Sequence, residues 1–198
     1  MSVGLLLSGG MDSIALAFWK RPLIAYTIDY GQLPAAGEIR AASAVCEALS
    51  IRHRIICIDC GQLGSGDMAG SRASDLAPVP EWWPFRNQLL LTLAGAAAIT
   101  DGVKELIFGA VSTDAAHADG RREFFDGISN LMNFQEGRIR VTVPAIELNS
   151  LELVRNSGVP LPLLSWSHSC HTSAFACGAC RGCVKHANTM KKLGYEDY

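Results

Sequence analysis

The chain has 198 residues, 49% of them hydrophobic and 18% charged, and a formal net charge of -2; that is enough for one domain burying roughly 70% of its unfolded surface without a disulfide staple. The charge gives no basic footprint for non-specific nucleic-acid binding, so a nucleic-acid partner is not expected. No run of ~18 apolar residues offers a membrane span, and Met1 passes almost at once into a strand pattern, leaving no room for a signal peptide; a cytoplasmic protein without a membrane partner is expected.

In chain order, strand-forming and helical patterns alternate: VGLLL, then SIALAFWK; PLIAYTID, then a helix through EIRAASAVCEAL; RHRIICID; RNQLLLTLAGAAAI; KELIFGAV; REFFDGISNLMNF; IRVTV; and SLELVRNSG. Continuous apolar strands separated by helices predict an α/β fold, a doubly wound and mainly parallel sheet covered on both faces. Ligands of such sheets sit beyond the carboxyl ends of the strands. The polar runs Ser8 to Ser13, Asp29 to Gln32 and Ser112 to Arg122 fall there. Between Asp59 and Pro84 lies a Gly, Ser and Pro-rich segment without a period, readable as an active-site lid or as a disordered stretch.

The first turn reads SGGMDS. Gly9 and Gly10 let successive N–H groups converge at a helix N-terminus, which makes an anion cradle. Ser8 and Ser13 add hydroxyl donors, and Asp12 would repel a phosphate unless Mg²⁺ stood between them. An ordinary strand-to-helix turn with Ser13 as N-cap is the plainer alternative. A P-loop is excluded because no lysine precedes Lys20, and a nucleophile elbow because residue 6 is leucine.

Seven cysteines, an odd count, fit a disulfide framework poorly. Cys170, Cys177, Cys180 and Cys183 form C-x6-C-x2-C-x2-C, with Gly178 and Gly182 permitting tight turns. Three closely spaced thiolates plus Cys170 can close a tetrahedron around Zn²⁺. His168 or His171 could replace Cys170, and a redox or iron–sulfur site is the rival reading. Cys46, Cys57 and Cys60, on a helix face and in the third strand, read as buried inert thiols.

S-G-G-x-D-S after the first strand resembles the pyrophosphate-binding loop of the PP-loop ATP pyrophosphatases, which split ATP between its α- and β-phosphates and transfer AMP to an oxygen of the substrate. With the cysteine motif added, the chain resembles the 7-cyano-7-deazaguanine synthases, QueC-like zinc enzymes of queuosine biosynthesis, over nearly its full length. The matching stretches are LLLSGGMDS, IDYGQ, PFRNQLLLTLAGAAA, DGRREF and SWSHSC with CGACRGC.

The resemblance implies a Rossmann-like PP-loop adenylation domain over 1–164 with a zinc-binding segment, 165–198, packed on it. It implies ATP- and Mg²⁺-dependent conversion of 7-carboxy-7-deazaguanine and ammonia to an amide and then a nitrile, in a homodimer. Asp12, Ser13 and Arg86 would be catalytic; Ser8, Gly9, Gly10, Asp12, Ser13, Asp29, Tyr30 and Gln32 would bind ATP; Arg86, Asn87, Asp114, Asp119 and Arg121 would bind the substrate. Asp119 or Asp114 would accept the two donors on the guanine edge. Singly, Asp29 could cap a turn, Arg86 could start a helix, and Asp114 and Asp119 could line a solvated loop.

The chain departs from the family at several points. LPAAGE replaces basic residues after DYGQ, TDAAHADG replaces a Tyr-Ser-Gly-Tyr loop, and Leu148, Asn149 and Ser150 stand where the family has Leu-Thr-Lys. His168 stands near the place of the family's first cysteine. Two other readings follow. In one the activated deazapurine is passed to an amine of a partner protein, as could suit a bacterial antiviral defence system. In the other the chain is a catalytically silent nucleotide-binding zinc scaffold. A sulfur-inserting RNA enzyme of the same superfamily fits less well without a basic stripe.

Overall fold

The structure is a computed structural model that describes residues 2–195. Five strands, β1 (Val3–Leu6), β2 (Ile24–Asp29), β3 (Arg52–Cys57), β4 (Glu105–Ile107) and β5 (Arg140–Thr142), form one sheet in the order β3-β2-β1-β4-β5. Every pairing is parallel, with Leu5 opposite Ala25 on one side and Ile107 on the other. The sheet of the expected α/β fold is therefore wholly parallel among the described residues.

Alternation along each strand sends its side chains into two cores. Leu5, Leu7 and Ala25 join helices α1 (Met11–Lys20), α2 (Ala35–Leu49), α5 (Ser150–Ser157), α6 (Leu161–Leu164) and α7 (Arg181–Lys192) on one face. Leu6, Tyr26 and Ile28 join α3 (Arg86–Thr100) and α4 (Arg122–Phe134) on the other. Both faces must be covered because every central strand is apolar on both sides. The chain winds outward from β1 to β3, then returns to place β4 beside β1, so the order reverses between β1 and β4. That reversal opens a crevice past the ends of these two strands.

The helix starts and stops have local causes. Asp12 near the α1 N-terminus and Lys20 in its last turn both suit the helix dipole. Arg21, left-handed at φ 45°, ends the helix just before Pro22. Asn149 and Glu152 close a capping box at the start of α5. α3 has no side-chain cap of its own at Phe85; the Asp119 carboxylate accepts from Asn87 N at 3.3 Å and serves from outside.

The segment from Asp59 to Pro84 is folded against the turn after β2, with Cys60 N donating to Tyr30 O and Leu33 N to Met68 O. It makes 3₁₀ turns at Gly61–Leu63 and Asp67–Ala69 and buries Trp83 and Met68 in the second core. Trp83 stands edge-on to Tyr30 at 4.8 Å. Gly66, at φ 72°, lets the chain pass Pro80 so closely that a β-carbon would collide with its carbonyl.

Of the three thiols expected to be buried, Cys46 and Cys60 are, but Cys57 is exposed. It belongs to β3, an edge strand whose outer side no strand pairs among the described residues. No helix there is long and apolar enough to cross a membrane.

Candidate active site

The turn after β1 sits at the crevice. Gly9 adopts φ 75° and lies against the backbone of Glu38 in α2, where a β-carbon would clash. Gly10, not Ser13, is the N-cap of α1, and it supplies no side chain to its first N–H groups. Those donors therefore remain available to an anion. Ser13 Oγ donates to Gly10 O at 2.9 Å and lies 3.2 Å from Ser8 Oγ, which itself accepts from Gly10 N.

Asp12 stands one residue into α1. Its Oδ2 accepts from Ser150 Oγ at 3.1 Å and from Lys185 Nζ at 3.3 Å. Its Oδ1 is buried with no hydrogen-bond partner. A buried unpaired carboxylate oxygen costs free energy, and as a hard donor two residues after Gly10 it fits Mg²⁺.

The loop opens into a cavity of about 670 Å³ lined by the ends of β1, β2 and β4 together with α3, the turns at Thr113 to Gly120, and α7. That volume suits a nucleotide-sized ligand. Its charged lining comprises Asp12, Glu38, Glu81, Arg86, Asp114, Arg181 and Lys185.

The cysteine motif closes the rim. The thiols of Cys170, Cys177, Cys180 and Cys183 lie within 4.8 Å of one another, and Cys177 and Cys183 are 3.9 Å apart. A tetrahedral zinc–thiolate shell needs sulfurs roughly 3.8 Å apart. Backbone N–H groups aimed at Cys177 from Ala179 and Cys180 hold its thiol down at about 6, a bias toward thiolate. The four cysteines are compatible with zinc without either histidine: His168 Nε2 is engaged with Ser173 O, 3.0 Å away. Cys180 Sγ also caps α7 by accepting from Cys183 N.

The segment is tied into the domain. His168 N donates to Gly9 O at 2.8 Å, Arg181 pairs with Glu81 at 2.9 Å, and Met190 is fully buried in the first core.

The family comparison decides which PP-loop group this is, because "Queuosine biosynthesis protein QueC" describes the family that matches residues 3–194. The chain belongs to the QueC family. It is similar to proteins named 7-cyano-7-deazaguanine synthase from several organisms. The one from Chlorobium chlorochromatii is 31% identical, covering 100% of this chain and 94% of the relative. The one from Desulforudis audaxviator is 32% identical, covering 96% of each. That from Methanosarcina mazei is 28% identical, covering 97% and 94%.

In this QueC-family chain the expected site residues divide. Ser8, Gly10, Asp12, Ser13, Tyr30, Arg86, Asn87 and Asp114 line the large cavity. Gly9, Asp29, Gln32, Asp119 and Arg121 are not among its lining residues. Asp29 Oδ1 accepts from Gly31 N, and Gln32 both accepts from Tyr30 N and donates to Ile28 O, so this pair folds the turn after β2. Asp119 caps α3 and accepts from Asn87 Nδ2 through its carbonyl, while Arg121 is exposed and donates to Ala115 O. Burial pushes the Asp114 carboxyl up, against the charge of Lys185.

Four charged lining residues escaped the sequence reading: Glu38, Glu81, Arg181 and Lys185. Glu38 Oε2 accepts from Gln32 Nε2 at 2.7 Å, and burial raises its carboxyl from 4.5 to about 7. Because the folded value lies above the unfolded one, its contribution to stability is full below about pH 4.5 and is lost as pH rises through 7. Glu38→Gln should therefore stabilise the fold at pH 8 by on the order of 1 to 2 kcal/mol more than at pH 4. Urea unfolding of both proteins at the two pH values checks this; an equal difference at both would mean that Glu38 ionises normally.

Proposed function

We propose that the chain is an ATP-dependent 7-cyano-7-deazaguanine synthase, forming carbon–nitrogen bonds through an acyl adenylate. The observation that carries this is the SGGMDS turn at the strand-order reversal, where Asp12, one of whose carboxylate oxygens is buried and unpaired, lines a nucleotide-sized cavity. The names of its relatives support the substrate class.

A carboxylate is a poor acyl donor, because its leaving group would be oxide. Attack of the substrate carboxylate oxygen on the α-phosphorus of ATP forms the acyl adenylate and breaks the bond to the β-phosphate, releasing pyrophosphate. Ammonia then displaces AMP to give the amide. Activation of the amide oxygen by a further ATP lets the nitrile form as AMP departs.

The chain's own groups would divide the work. The first N–H groups of α1 and the hydroxyls of Ser8 and Ser13 would receive the leaving phosphates. Arg86, half-buried beside Met68 Sδ at 3.3 Å and with no carboxylate within 4 Å among the described residues, would orient the substrate carboxylate or α-phosphate by paired N–H donors. Asp114 is the carboxylate favoured for the guanine edge, since it lines the large cavity and Asp119 does not; each accepts one backbone N–H, Asp114 from Val111 and Asp119 from Asn87. Asp12 would hold Mg²⁺, which would supply charge neutralisation at the phosphates. The cysteines would hold a closed Zn²⁺ site that takes no part in the chemistry. No feature of the cavity favours a partner protein's amine over ammonia.

Incubation with ATP, Mg²⁺, 7-carboxy-7-deazaguanine and ammonium should yield AMP, pyrophosphate and 7-cyano-7-deazaguanine by mass spectrometry. Omission of the deazapurine should stop pyrophosphate release. No product and no pyrophosphate from folded, zinc-loaded protein would overturn the reading.

A further inference from the structure

The anion cradle is built almost wholly from uncharged donors: backbone N–H groups, Ser8 and Ser13. Its one charged member, Asp12, has the wrong sign for a phosphate. Ser150, beside it, offers Asp12 only a hydroxyl at 3.1 Å. A leaving pyrophosphate carries several negative charges and needs a neutralising cation close to the cradle.

Three permanent cations line the cavity. Arg181 is committed to Glu81 at 2.9 Å, and Arg86 lies along Met68 and Asn87 on the α3 side. Lys185 alone among them has its charge at the loop, with Nζ 3.3 Å from Asp12 Oδ2 and its side chain still 45% exposed. It projects from the first turns of α7, two residues after Cys183, on the helix that Cys180 caps. An ammonium on a four-carbon stem can swing from a carboxylate to a phosphate beside it, as a point charge without fixed geometry.

We infer that Lys185 is the pyrophosphate-binding cation of this site, delivered to the loop from the cysteine-bearing segment. The inference rests on the ATP reading above and deepens it. While the cradle is empty Asp12 pairs with the amine; when phosphate and Mg²⁺ enter together, Asp12 serves the metal and Lys185 the phosphate oxygens. The segment thereby takes part in binding the leaving group as well as bracing the rim.

Calorimetry with Mg²⁺-pyrophosphate and, separately, with AMP tests this on full-length, zinc-loaded protein. Lys185→Met keeps the stem and removes the charge. It should weaken pyrophosphate binding by about tenfold or more and leave AMP binding, zinc content and melting temperature within error of wild type. Lys185→Arg should hold pyrophosphate within about threefold of wild type, since a cation is restored. A bracing ion pair with Asp12 would instead lower melting temperature and weaken both ligands together, which overturns the inference. So does a Met variant that binds pyrophosphate as well as wild type, and in that case the ATP reading stands. A wild-type chain that binds no pyrophosphate brings down both.

Discussion

Asp12→Asn is expected to reduce pyrophosphate release from ATP by at least about a hundredfold while leaving the fold intact. The substitution preserves shape and keeps an oxygen for Ser150, so packing is unchanged. The ion pair with Lys185 is lost, but its side chains are 45% and 20% exposed, and such partly solvated pairs contribute at most about 1 kcal/mol. What disappears is the negative charge on a buried oxygen that no protein group satisfies. Removing one electrostatic element aimed at developing charge costs roughly 10² to 10³ in turnover. The check is a pyrophosphate assay with substrate present beside a thermal melt. Wild-type turnover in the variant would remove Asp12 from the chemistry and the metal with it.

The second large effect is expected from the cysteines. Cys180→Ser removes a thiolate from the group of four and weakens the cap of α7 at the same time. Zinc content should fall well below one per chain. The melting temperature should drop by about 10 °C or more, since the binding free energy of a structural zinc is largely folding free energy. Activity should track the fraction folded and metal-loaded, because a closed tetrahedron offers no position for water or substrate. X-ray absorption on the wild-type protein distinguishes the alternatives. Four sulfurs agree with the geometry, three sulfurs and a nitrogen would bring in His168 or His171, and a bound water would make the metal a reactant.

The sheet and most of its helices were legible because apolar runs and helical periods are dictated by burial. REFFDGISNLMNF coincides with α4 since its charged and apolar residues separate cleanly onto two faces. α7 was not legible as a helix. Its first turn is hidden in the cysteine motif and its buried side consists of Gly182, Cys183, Thr189 and Met190, a stripe too mixed to stand out. In the site, SGGMDS and the four cysteines stood out in the sequence as patterns of residue type and spacing. Asp29 and Gln32 did not, because a polar residue after a strand serves equally to fold the turn, and here both bond to neighbouring backbone. Glu38 and Lys185 are single charged residues with no pattern around them. Only the packing of α2 and α7 against the first turn brings them to the cavity.

The hydrogen bond from His168 N to Gly9 O, with the Lys185–Asp12 pair beside it, joins the first turn of the sheet to a segment made after all five strands. On the ribosome, where N-terminal parts emerge first, β1 and α1 can pair and pack long before those partners exist. Such distant closures carry a loop entropy that local contacts do not. On the proposed function, a nascent chain would therefore present an exposed cradle and a sheet but no finished nucleotide site, and competence to bind ATP would arrive abruptly, with α7 and the metal that the cysteines would hold.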